Sequence, residues 1–159
     1  MIRHVLRQFA VQTLYQMEVG KMTKEEAIEN VELVVEGLKE EALELVAEEV
    51  TPHQILEIER QFKLEDFYFE LVEGVLAHQQ ELDELIEANL KGWSFSRLNK
   101  VDRAILRLAV YEMKFCQETP HKIIMDEAVE LTKEFSDTGD GKARSFNNKV
   151  LDQISKHLA

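Results

Sequence analysis

The side chains of this sequence that could bind a ligand rather than build a core are cations with aromatic rings placed beside them. Arg3 and Arg7 stand one helical turn apart, and His4, Gln8, Val11 and Tyr15 form the adjoining row, so two guanidiniums and a hydroxyl-bearing ring share the outward side of one helix. That grouping suits phosphate contacts next to a base stacked on the ring, and Tyr15 equally suits the capping of a crevice between helices. Further on, Lys100, Arg103, Arg107 and Lys114 fall on one strip, which is either a solvated face or a nucleic-acid contact. A third group, Lys142-Ala143-Arg144-Ser145-Phe146-Asn147-Asn148-Lys149, mixes cations, amides and a ring just before the last helix. There backbone amides can meet phosphate and a ring can meet a base, although Phe146 also fits the role of a core anchor.

Catalytic chemistry has no comparable footing. The chain has no nucleophile elbow, no glycine-rich phosphate loop and no metal-spaced cluster of His, Cys and acids, and His4 by itself is no metal site. Ser136 to Gly141 is a turn by composition. With Gly141 at the loop glycine of an EF-hand, Ser136 and Thr138 replace expected acids and Asn147 replaces the closing glutamate, which rules that site out. Neither a cofactor nor a metal is expected, and a binding protein is expected rather than an enzyme. The single cysteine, Cys116, cannot form an internal disulfide, no apolar run is long enough to span a bilayer, and no signal peptide is legible. A cytoplasmic protein without a membrane partner is the expectation.

Helices must position these groups. Two prolines and six glycines in 159 residues leave long uninterrupted helical patterns, which predicts an all-α fold of about seven helices. The central one is the run from Asn99 to Phe115, where Val101, Ala104, Ile105, Leu108, Ala109, Tyr111 and Phe115 cover half the wheel and Leu106, Val110 and Met113 spill onto the rest, so neighbours must cover it on several sides. Glu112 lies within that apolar arc and needs a partner. The first helix spans about Ile2 to Glu18. Thr23-Lys24-Glu25-Glu26 is a capping box, and behind it Ile28, Val31, Val35, Leu38, Ala42 and Leu45 predict one packing seam, with a bend or close approach at Gly37. Thr51-Pro52 opens a short helix to Gln61, and Leu64 to Leu90 reads as a second long core helix in which His78 needs no function. A connector with Trp93 and Phe95 plugs a junction between layers. Thr119-Pro120 opens a helix carrying Ile123, Ile124, Ala128, Leu131 and Phe135 inward, and the last helix runs to about His157.

The net charge of −12 argues against nucleic acid only until its distribution is read. Between Glu18 and Glu87 there are 21 acidic and 5 basic residues, so the flanking segments are together net positive. Binding responds to such local patches more than to the total.

Several blocks, in order, resemble the NusB family of transcription antitermination factors. They are Tyr68 to Gly74, Leu82-Asp83-Glu84-Leu85-Ile86, the run from Val101 to Met113, Pro120, Asp126-Glu127-Ala128-Val129-Glu130-Leu131, Phe146, and Asn148-Lys149-Val150-Leu151-Asp152. The resemblance is weak around Ala10 to Tyr15 and poor between Gly20 and Leu64. It implies two packed small helical bundles, here an N-terminal half 1–90, a connector 91–99 and a C-terminal half 100–159. It also implies binding, without catalysis, to the boxA element of ribosomal RNA leader transcripts together with NusE, a small-subunit ribosomal protein, within the antitermination complex of RNA polymerase. The RNA surface carried over takes in Arg3, His4, Arg7, Tyr15, Asp102, Lys142, Arg144, Ser145, Phe146 and Asn148. Family members often begin with an arginine-rich stretch that is absent here, and the family's Val-Asn-Gly is Asn147-Asn148-Lys149. The alternative is a helical RNA- or protein-binding adaptor related to the front domain of ribosomal RNA cytosine methyltransferases, since the chain ends before a catalytic domain.

Overall fold

A computed structural model describes residues 1–46, 48 and 50–158. The described residues form eight α-helices: α1 (Arg3–Val19), α2 (Lys24–Leu45), α3 (Pro52–Gln61), α4 (Asp66–Ala77), α5 (Gln79–Ala88), α6 (Lys100–Phe115), α7 (His121–Phe135) and α8 (Lys142–Leu158). A 3-10 turn, Phe95–Arg97, lies between α5 and α6, and no strand occurs among the described residues. The chain divides into two compact units, Met1–Glu70 and Leu71–Ala159, with the division inside α4. The expected connector 91–99 therefore lies within the second unit. Within that unit α5 packs on α6, with Leu82 and Ile86 buried.

The capping chemistry sets the helix starts. Glu26 N–H donates to the Thr23 hydroxyl at 3.2 Å while the Glu26 carboxylate reaches back to the Thr23 amide, and Thr51 and Gln54 repeat the device with proline at the first turn of α3. At α6 the cap is Asn99, whose side chain accepts from the Asp102 amide at 2.7 Å. Thr119 does not cap α7: Pro120 holds the cap position and Thr119 is buried.

In the first unit α1 packs on α2, with Leu6, Phe9, Ala10 and Leu14 buried on one and Ala27, Val31 and Val35 on the other. Thr13 and Tyr68 share a buried hydroxyl–hydroxyl hydrogen bond of 2.6 Å, and burial pushes the Tyr68 hydroxyl up to about 12. The seam predicted for α2 stops halfway. Leu38 is exposed and Leu45 is 83% exposed, Ile28 and Ala42 are half-buried, and Ala27 takes the place that spacing assigned to Ile28. Helix α3 buries none of its residues. A Cβ built on Gly37 would meet nothing, so no close approach explains that glycine.

In the second unit α6 is covered by α5, α7 and α8, and Ala104 through Met113 are all buried, Glu112 among them. At Gly74 a Cβ would lie 2.2 Å from the Tyr111 ring, so only hydrogen lets α4 approach α6 there. The long helix expected over Leu64 to Leu90 breaks at His78 (φ −115°, ψ 16°). The break puts the imidazole face to face with Phe115 at 4.2 Å, so His78 has a packing role that the polar interruption did not reveal. On α7, Ile124, Ala128 and Leu131 point inward as expected, whereas Ile123 is exposed. Cys116 is buried at the C-terminal cap of α6, its amide donating to the Glu112 carbonyl at 2.9 Å.

Candidate nucleic-acid interface

In the first unit, α1 carries four of the candidates, and they do not form one outward face. Arg3 and Tyr15 are exposed, the latter by 39% of its surface, and His4 is half-buried. Arg7 is only 3% exposed, which corrects the expectation of an outward pair. Both arginines meet Phe67 of α4: the Arg7 guanidinium carbon lies 5.2 Å from its ring centre and that of Arg3 lies 4.2 Å away. One aromatic thus holds two cations in line, with Arg7 beneath and Arg3 at the surface. Helix periodicity assigns both arginines to one side, but only the tertiary neighbour decides which of them water reaches.

In the second unit the other candidates lie on α6 and α8. The expected loop around Arg144 to Asn148 is helical from Lys142 onward, because the turn before it closes early. Gly139 (φ 101°) and Gly141 (φ 75°) adopt left-handed backbone that lets both of their amides donate to the Asp137 carboxylate, at 2.8 and 3.3 Å. Arg144 Nε donates to the same carboxylate at 2.5 Å. The Gly139 amide foremost, then Arg144 and Gly141, hold the Asp137 carboxyl below its usual range. Arg144 therefore closes this turn, a role its position in the sequence did not reveal. Lys142, Ser145 and Asn148 are exposed, and Phe146 is half-buried with its ring edge-to-face with Trp93 at 5.9 Å.

Asp102 is also corrected as a surface acid. It is buried, and Asn147 Nδ2 donates both to its Oδ1 and to the Thr132 hydroxyl, each at 3.1 Å. Asn147 is thus a buried tie between α6, α7 and α8, which explains why an amide stands in that core position.

The basic strip of α6 divides: Lys100 is exposed and Arg103 half-buried, while Arg107 and Lys114 are paired with acids. Arg107 makes a two-pronged ion pair with Asp83 of α5, at 2.7 and 2.9 Å, and Lys114 donates to Glu81 at 2.7 Å. Arg103 and Arg107 also lie 5.6 and 5.3 Å from the Phe95 ring centre. The second Glu81 oxygen meets His78 Nδ1 at 2.5 Å, and the Lys114 hydrogen bond, followed by that of His78, pulls the Glu81 carboxyl below its usual range. Acids on α5 thus balance two of the α6 cations, Arg107 and Lys114. Among the described residues no cluster of three or more metal-ligating side chains occurs, and no helix is long and apolar enough to cross a membrane.

Known proteins match this chain along nearly all of its length. The NusB family model matches residues 4–156. The transcription antitermination protein NusB of Geobacillus kaustophilus (strain HTA426) is 39% identical over 158 residues, covering 99% of this chain and 98% of that protein. Its counterpart in Bacillus subtilis (strain 168) is 38% identical over the same shares. A solved structure of the antitermination factors NusB and NusE in complex with double-stranded RNA aligns with a TM-score of 0.65 and 25% identity, covering 99% of each chain. The solution structure of NusB from Aquifex aeolicus aligns with a TM-score of 0.63 and 28% identity, covering 97% of this chain and 87% of that one. With the family model spanning α1 to α8 and relatives at this identity from end to end, the chain belongs to the NusB family.

Proposed function

We propose that this protein is a transcription antitermination factor that binds boxA RNA of ribosomal RNA transcripts together with NusE, and that it supports processive transcription by RNA polymerase in the cytoplasm through binding alone, without catalysis. The observation that carries this reading is the 38–39% identity, over 99% of the chain, to proteins named transcription antitermination protein NusB. The neighbour that holds NusE and RNA supplies the two partners. The groups this chain offers RNA are the exposed Arg3 and Tyr15 on α1 and the exposed Lys142, Ser145 and Asn148 at the start of α8. Arg7, Asp102 and Arg144 act behind them, setting the positions of Phe67, Asn147 and the turn before α8.

So few exposed cations predict modest affinity for RNA by the protein alone and tighter binding once NusE adds contacts. Fluorescence anisotropy with boxA-like and scrambled RNA, with and without NusE, tests this. Equal affinity for both RNAs, unchanged by NusE, would sink the reading.

A further inference from the structure

Helix α2 presents an apolar stripe to water. Val34, Leu38, Glu41 and Leu45 recur at the three- and four-residue steps that keep side chains on one helix face, and all four are exposed, Leu45 by 83% of its surface. At the rise of an α-helix the stripe is ~16 Å long. Leu45, at its end, also lines a cleft of about 620 Å³ shared by α2, α3 and the turn between them. Val46, Val50 and Ile58 make that cleft largely apolar, while Glu48 and Glu57 stand beside them with exposed side chains. Helix α3, with ten residues and none of them buried, leaves Ile55 and Leu56 open to water as well. Burying apolar surface of this kind is favourable, and a continuous exposed patch of it marks a surface that binds.

Charge decides the occupant. Lys24 to Gln61 holds twelve acidic and three basic residues. A second copy of the chain would set one acidic face on another, and RNA or an anionic lipid surface would be repelled in the same way. A wholly apolar partner would cover Glu41, which lies within the stripe, and leave its carboxylate without a counter-charge. Glu57 has loose, exposed ion pairs with His53 and Arg60, at 3.8 and 4.0 Å, which a closer cation can replace.

We propose that this stripe and the cleft at its end dock a basic amphipathic helix of a partner protein, whose apolar side chains cover Val34, Leu38 and Leu45 and whose lysine or arginine pairs with Glu41. A narrow stripe that runs into a cleft fits recognition of a helix through apolar anchors three, four and seven residues apart. The cleft takes a large apolar side chain at the end of that helix, and Glu48 and Glu57 face a second cation. None of these residues belongs to the candidate RNA surface, so the inference stands apart from the RNA reading above.

The probe is a fluorescein-labelled helical peptide of leucine and lysine with its leucines on one face, titrated with the full-length protein in physiological salt and followed by anisotropy. Saturable binding is expected. A scrambled peptide of the same composition should bind at least about tenfold more weakly, and a leucine–glutamate version should not bind. The double variant Leu38→Ser/Leu45→Ser should weaken binding by about tenfold or more with little change in melting temperature, because both side chains are exposed. Glu41→Lys should weaken it and flatten its salt dependence. Glu118→Lys, the same charge change at an exposed position of the second unit, should leave the affinity as it is.

Equal binding of the scrambled peptide, or an equal loss with Glu118→Lys and Glu41→Lys, would show attraction to net charge alone and overturn the docking site. Full affinity in the double leucine variant overturns it too. If that variant melts earlier while its folded fraction binds normally, the stripe is structural and the proposal falls. Light scattering that finds a dimer, dissolved by the same double variant, assigns the face to a second copy and overturns the basic partner.

Discussion

Helices α2 and α6 are both well capped and regular, yet they stand at opposite ends of what a helix can bury. Of the 22 residues of α2, Ala27, Val31 and Val35 are buried, while Leu33, Val34, Leu38 and Leu45 are exposed. Of the 16 residues of α6, eleven are buried, and these include Asp102, Arg107 and Glu112. Capping and propensity decide that each segment is helical. How much of it is buried depends on how many other helices are brought against it: three in the case of α6, and two, α1 and α3, in the case of α2, with Leu38 and Leu45 in its C-terminal half exposed. An apolar heptad-like seam is thus a statement about what a helix could bury, and its neighbours determine what it does bury.

The sharpest test of that contrast is truncation of one leucine on each helix. Leu108→Ala in α6 should cost ~2–5 kcal/mol in denaturant melts, since the surrounding helices cannot collapse fully into the void. A loss below ~1 kcal/mol would mean that α6 is peripheral and the comparison fails. A pair of glycine substitutions probes the same contrast with opposite signs. Gly74→Ala drives a methyl into the Tyr111 ring and should destabilise by ~1–3 kcal/mol. Gly37→Ala meets open space on a solvated helix face and should stabilise by ~0.5–1 kcal/mol, visible as a raised melting temperature. Should both lose stability, Gly37 has a packing role that its surroundings do not reveal. Leu38→Ala on α2 should stay within ~0.5 kcal/mol of the parent.

The acid limb of the stability curve gives the finest distinction. Asp137 and Glu81, both in the second unit, have carboxyls held below their ordinary values of 3.8 and 4.5. A lowered folded-state value means that the folded state favours the charged form. The contribution is therefore complete above those ordinary values and is lost as pH falls through the lower folded ones. Asp137→Asn and Glu81→Gln should each flatten this limb, and an acid limb identical to that of the parent would mean that the ion pairs are screened away by solvent.

The sequence makes legible whatever is decided within one turn. The capping boxes at Thr23 and Thr51, the proline start of α3 and the apolar arc of α6 are all local, and each stands where residue types alone would put it. What could not be read is decided by partners distant in the chain. Phe67, some 60 positions away, gathers Arg3 and Arg7 at one ring, and the fold leaves Arg3 exposed and Arg7 buried. Asp83 and Glu81 take Arg107 and Lys114 out of a basic strip and into ion pairs, leaving Lys100 exposed. His78 breaks a continuous helical pattern so that its ring can reach Phe115. On α1 and α8, residue types marked out the candidate cations and rings but could not separate those that are exposed from those that are buried or tied into turns. Arg144 is the clearest instance, because the sequence marks its partner Asp137 only as part of a turn.

Cys116 carries a kinetic consequence. Its sulfhydryl is the only one in the chain and is shut away where α6 ends, so a thiol-modifying reagent can reach it only when that end of the helix unwinds. The rate of alkylation under native conditions is then a clock for that excursion. Compared with the free energy of complete unfolding, it tells whether the terminus of α6 frays alone or lets go only when the whole unit does.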